Sequence, residues 1–116
     1  MDCTATVRRV GDVAVVDLDG RFTLSESPGL IGGAVASALE SGTRKILLNL
    51  ARVTYLDSAA GLGELVSSYT RAVRGGACLK LVHADKNISR VLHLTRLDNV
   101  FELFEDEASA ISSFRG

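Results

Sequence analysis

Residues 44–50, Arg-Lys-Ile-Leu-Leu-Asn-Leu, form a short, almost unbroken apolar run between two segments of helical periodicity. The run is too brief for a core helix. It also lacks the alternation of a half-exposed strand. It therefore reads as a strand covered on both faces, the pattern of a central strand in a parallel sheet. A parallel strand needs crossover helices, and the flanking sequence supplies them.

Upstream, Cys3 to Val10 and Val13 to Leu18 are β-like, and the Gly11-Asp12 turn joins them. Strands joined this tightly pair as an antiparallel hairpin. The next segment, residues 25–42, carries Leu30, Ile31, Val35, Ala38 and Leu39 at helical spacing. Ser27-Pro28 reads as its N-cap and first helical residue, and Gly42 as its end. Downstream, Ser58 to Val73 places Leu62, Leu65, Val66, Tyr69 and Val73 on one stripe, with Glu64, Ser67, Ser68 and Arg71 off it. After Gly75-Gly76, Ala77 to His83 reads as a strand and Asn87 to Leu94 as a short helix. Val100 to Leu103 reads as an edge strand and Glu107 to Phe114 as a last helix, with Ala110, Ile111 and Phe114 inward. The order implies one α/β domain over residues 1–116, with a mixed sheet of four to five strands and about four helices.

Composition narrows the function. Thirteen basic and fourteen acidic residues leave a net charge of −1, which gives no excess to neutralise phosphates. A nucleic-acid partner is not expected. No apolar run reaches the ~18 residues of a membrane span, and the first ten residues lack a signal core. The expected place of action is the cytoplasm, with no membrane association. Cys3 and Cys78 are isolated, and His83 and His93 lie outside short ligand spacings, so neither a disulfide nor a metal site is expected. The acidic run Glu102, Glu105, Asp106 and Glu107 reads as a solvated loop with favourable charge at a helix start.

Two segments could carry chemistry. Residues 15–23 bring an apolar strand to Asp17-x-Asp19-Gly20, which resembles the first motif of haloacid-dehalogenase-type phosphatases. That chemistry also needs further acidic ligands and a strand-end lysine, and the later strands offer none in the expected order. A polar-ended strand running into a turn is the favoured reading. The second segment, residues 53–65, delivers Asp57-Ser58 to the start of an amphipathic helix. A serine there can cap the helix. Its hydroxyl can equally carry a regulatory phosphate, which a helix N-terminus stabilises.

At Asn49-Leu50, Tyr55-Leu56-Asp57-Ser58, Gly61-Leu62-Gly63, Gly75-Gly76, Leu79-Lys80-Leu81 and Leu97-Asp98-Asn99-Val100-Phe101 the sequence resembles the STAS domain family. It is most similar to the small bacterial anti-sigma factor antagonists. The resemblance implies a non-catalytic, cofactor-free protein that works by partner switching. Unmodified, it would bind an anti-sigma factor serine kinase. Phosphorylation by that kinase would release it, and a metal-dependent serine phosphatase would restore it.

Residue by residue, the resemblance puts the phosphoacceptor on Ser58 and partner contacts on Asp57, Ser58, Ala59, Gly61 and Leu62. Here Asp57-Ser58-Ala59-Ala60-Gly61-Leu62 is one residue longer than the usual family run. An extra residue after Ser58 keeps the acceptor; one before Asp57 puts Ala59 in its place. The gapless match through Tyr55-Leu56-Asp57-Ser58 favours Ser58. Arg21, Phe22 and Thr23 stand where many antagonists carry an acidic residue. The alternative role within the family is an adaptor that is not phosphorylated, either a stressosome-like scaffold or a lipid-transporter accessory subunit.

Overall fold

Gly11 takes the left-handed conformation, φ +62°, that the predicted hairpin turn requires. Around it β1 (Thr4–Val10) pairs antiparallel with β2 (Val13–Phe22), from Val10↔Val13 to Thr4↔Asp19. The structure is a computed structural model that describes residues 3–23, 27–57 and 61–115. β2 runs four residues past the Leu18 at which the apolar pattern ends. Its polar residues are tolerated because they face a part of the sheet that no helix covers. There Asp17 accepts hydrogen bonds from Arg8 of β1 and Asn49 of the neighbouring strand.

The sheet order is β1-β2-β3-β4-β5. β3 (Lys45–Leu56) is central and parallel to both β2 and β4 (Cys78–Val82), as its apolar run implies, and β5 (Leu103–Phe104) adds a parallel edge. Two register irregularities between β2 and β3, at Asp17/Asp19 and Gly20/Arg21, bring Phe22 opposite Leu56. The ends of these two strands therefore lie side by side.

The larger core lies between one sheet face and three helices, α1 (Leu30–Glu40), α2 (Gly63–Arg74) and α3 (Lys86–Leu94). Val16, Leu18, Ile46, Leu48 and Leu50 meet Ile31, Val35, Leu65 and Leu92 there, all fully buried. Each buried side chain of this size contributes about 1.5–3 kcal/mol. The other face is covered only in part. α4 (Glu107–Ser113) sets Ala110 on Val13, Val15, Leu47 and Val82. Covering from both sides explains the unbroken Ile46-Leu47-Leu48 run. Beyond the reach of α4, Ala51 and Arg52 are exposed.

Three local expectations change. Ser27 does not cap α1, whose N-cap is Gly29 at φ +74° with no side-chain capping bond of its own. Ser27 is buried, and its Oγ accepts from the Thr23 amide at 3.0 Å. The regular part of α2 begins at Gly63 rather than Ser58, and its buried face is turned from the apolar stripe: Val66 and Val73 are exposed while Ser68 is buried. The edge strand lies at Leu103–Phe104, displaced by a 3-10 turn at Leu97–Asn99 that leaves Val100 exposed. Asp85 and Asp106 cap α3 and α4, accepting from Ile88 N at 2.8 Å and Ser109 N at 3.0 Å. No helix among the described residues is long and apolar enough to cross a membrane.

Candidate functional site

β3 ends at Leu56, and Asp57 is tied to the end of β2 on one side and to the approach to α2 on the other. Its amide donates to Phe22 O at the end of β2, at 3.1 Å. Its carbonyl accepts from Leu62 N at 2.9 Å, and its Oδ1 accepts from Gly61 N at 2.8 Å. Asp57 therefore satisfies amides that a helix start leaves without intrahelical partners. Gly61 is buried against the strand end. A Cβ there would lie 2.9 Å from Leu56 Cβ and Cδ2 and 3.0 Å from its Cα. Only glycine allows that approach.

Of the residues the family resemblance singled out, Ser58 and Ala59 lie outside the described residues. Asp57 is half-buried at the head of the turn. Gly61 is buried, and Leu62, 7% exposed, belongs to the larger core. The last two hold the turn against the domain from below. Arg21 borders the site from β2, its guanidinium 4.7 Å from the centre of the exposed Tyr55 ring. This is cation–π range. Phe22 beside it is core.

A residue the helical pattern passed over completes the surroundings. Glu64, in the first turn of α2, accepts from Gly29 N at 2.8 Å and from Gly32 N at 3.0 Å. It thus caps α1 from another helix. A negative group is stabilising at a helix N-terminus, and bonds to an ionised acceptor are among the stronger ones. Local sequence gives no sign of this role, because the partners lie 35 and 32 residues away.

The phosphatase-like pair is arranged differently from its motif. Arg8 binds Asp17 through Nε at 2.6 Å, and Asn49 Nδ2 adds a 2.8 Å bond. The hydrogen bond from Arg8, followed by that from Asn49, holds the Asp17 carboxyl below the usual range. Arg8 also bonds Glu107 of α4, and the two carboxylates raise the guanidinium pKa further. Asp19 faces Arg52 Nη1 at 3.8 Å. Arg8, Asp17, Asp19, Asn49 and Arg52 line a shallow cleft of about 440 Å³ on the open sheet face. Among the described residues no three His, Cys, Asp or Glu side chains are grouped to hold a metal ion.

The remaining candidates have local partners. Cys3 Sγ donates to Arg21 O at 2.7 Å, and His93 Nδ1 meets Asp98 Oδ2 at 2.8 Å. The acidic run is more structured than a solvated loop. Asp106 caps α4, Glu107 ties it to β1, and Glu102 lies 3.5 Å from Lys80 Nζ.

Comparison with known proteins agrees with this architecture. The STAS domain family model matches residues 4–110. A Thermotoga neapolitana protein bearing the name of an anti-sigma factor antagonist is 31% identical over 78 residues, which cover 67% of this chain and 68% of that protein. The crystal structure of an anti-sigma factor antagonist from Mycobacterium paratuberculosis superposes with a TM-score of 0.86 at 24% identity, over 99% of this chain and 96% of that one. The Bacillus cell-fate determinant SpoIIAA, in its phosphorylated form, superposes with a TM-score of 0.72 at 18% identity, over 96% and 99%. These two likenesses show a shared fold. The mixed five-stranded sheet, the helices on its faces and the match over nearly the whole chain make this protein a member of the STAS domain family, among relatives named as anti-sigma factor antagonists.

Proposed function

We propose that the protein is an anti-sigma factor antagonist that works without catalysis of its own, as a binding switch controlled at Ser58. The unmodified form binds an anti-sigma factor serine kinase through the turn that follows β3. Asp57, Ser58 and Ala59 meet the partner, and Gly61 and Leu62 support them from the core. Transfer of the ATP γ-phosphoryl group to the Ser58 hydroxyl gives the phosphoserine and ADP. It adds about −1.5 to −2 charges at pH 7, against a chain total of −1. The modified face then repels a partner built for a neutral hydroxyl. A metal-dependent serine phosphatase returns the protein to its binding form. All of this takes place in the cytoplasm, where ATP and both enzymes are available.

The observation that carries this reading is the anchoring of the turn by Asp57. A serine at a helix start usually serves as the cap. Here Asp57 supplies the carboxylate for the Gly61 amide and its own carbonyl for the Leu62 amide. Those two amides are thus satisfied by Asp57 itself. The pairing of Asp17 with Arg8, and of Asp19 with Arg52, supports a non-catalytic role for the Asp-x-Asp string.

The test is intact-mass measurement after incubation with ATP and a cognate anti-sigma factor serine kinase. One phosphate is expected on the wild-type chain and none on Ser58→Ala. A phosphate that persists in Ser58→Ala overturns the assignment.

A further inference from the structure

The bonds around the turn after β3 close on themselves. Phe22 O holds Asp57 N, and Asp57 holds the amides of Gly61 and Leu62. Two residues on, the Glu64 carboxylate holds the Gly29 and Gly32 amides at the start of α1. Leu30 N donates back to Ser27 O at 3.3 Å. Ser27 is fastened to Thr23 three times. Its amide donates to Thr23 O at 3.0 Å, its Oγ accepts from Thr23 N at 3.0 Å, and Oγ lies 3.1 Å from Thr23 O. Thr23 follows Phe22 in the chain, so the circuit is complete. It joins the β2–α1 connection to the β3–α2 connection.

The Glu64 side chain reaches from one connection to the other. Its position there has a physical reason. α1 has no side-chain cap of its own and no acidic residue in its first turn. The positive end of its dipole is met by a carboxylate from α2. Gly29, at φ +74°, turns its amide toward that carboxylate in a conformation few other residues adopt.

We infer that Glu64 is a positioning residue for the partner-facing site: by bridging the start of α1 to the first turn of α2, it closes a hydrogen-bonded ring that holds Asp57, Gly61 and Leu62 in place. The importance of this for signalling rests on the binding-switch reading of that site; the ring does not. Thr23, Ser27 and Gly29 then move with Asp57, Gly61 and Leu62 as one unit, and a partner that docks beside them meets a preformed support. Pre-organising a surface in this way lowers the ordering cost of binding.

Amide hydrogen exchange on the full chain tests this without any partner, in wild type, Glu64→Ala, Glu64→Asp and Glu64→Gln. In Glu64→Ala, protection should fall about fivefold, the scale of a lost cap, at Gly29 and Gly32. It should fall by a similar factor at Gly61 and Leu62, which Glu64 does not touch. Leu47 and Leu48 should keep wild-type protection. Glu64→Gln keeps one carbonyl oxygen and should recover part of the loss at all four amides, whereas the shorter Glu64→Asp should not. If Glu64→Ala loosens the core as well, Glu64→Gln decides by the same contrast between Gly61 and Leu47. Loss confined to Gly29 and Gly32, or no loss at either, overturns the proposal. Since the readout needs no kinase, a failed phosphorylation assay would count against the switch and leave the ring standing.

Discussion

At the scale of single residues, two positions carry more than their side chains suggest. Gly61 is glycine because Leu56 occupies the space a Cβ would need. Gly61→Ala should therefore cost about 1–3 kcal/mol, the usual range for overpacking. Urea unfolding measures this, and an unchanged midpoint would show that the turn can shift to make room. Ser68 is the opposite case. Its buried Oγ has no hydrogen-bond partner among the described residues. Ser68→Ala removes a desolvated hydroxyl and adds helix propensity, so it should stabilise the protein by about 0.5–1.5 kcal/mol. A destabilised variant would mean that the hydroxyl is bonded. The residues of the site were legible in the sequence as a motif, but their reasons were not. Gly61 is explained by a contact with Leu56, Asp57 by amides four and five residues on, and Glu64 by a different helix. None of these follows from periodicity.

At the scale of elements, α4 is the least embedded helix. It covers only the smaller cluster, through Ala110 with Ile111 and Phe114 alongside. Charged groups hold its two ends. Arg8 bridges Glu107 at its start to Asp17 on the sheet, and Lys80 Nζ donates to Ser113 Oγ at 2.8 Å near its finish. The Arg8 contact holds the Asp17 carboxyl below its ordinary value, so the linkage has a definite sign. Asp17 stabilises the fold fully above the unfolded aspartate pKa of ~3.9 and loses that contribution as pH falls through the lower native value. Denaturation between about pH 6 and pH 2 should show a steeper acid loss in wild type than in Asp17→Asn. Parallel curves would mean the ion pair is solvent-screened to nothing, as exposed pairs often are.

Element boundaries show where sequence reading succeeds. The Gly11-Asp12 turn and the Asp85 and Asp106 helix starts are set by neighbours close in the chain, and they fell within a few residues of expectation. The end of β2 and the buried face of α2 depend on what lies across the fold. An open cleft on the sheet face lets Asp19 continue a strand that apolar patterning would stop at Leu18. On α2, Ser68 is buried while Val66 and Val73 are exposed, against their hydropathy.

At the scale of the whole molecule, the fold gathers the ends of β2 and β3 and the starts of α1 and α2 at one place. In the proposed switch the Ser58 hydroxyl decides whether the partner binds, through surface charge rather than a rearrangement of the larger core. Isothermal titration of a cognate anti-sigma factor kinase with the unmodified protein, and with protein stoichiometrically phosphorylated at Ser58, tests this. The phosphorylated form should bind at least about tenfold more weakly, a difference of ~1.4 kcal/mol. Equal affinity of the two forms would contradict it.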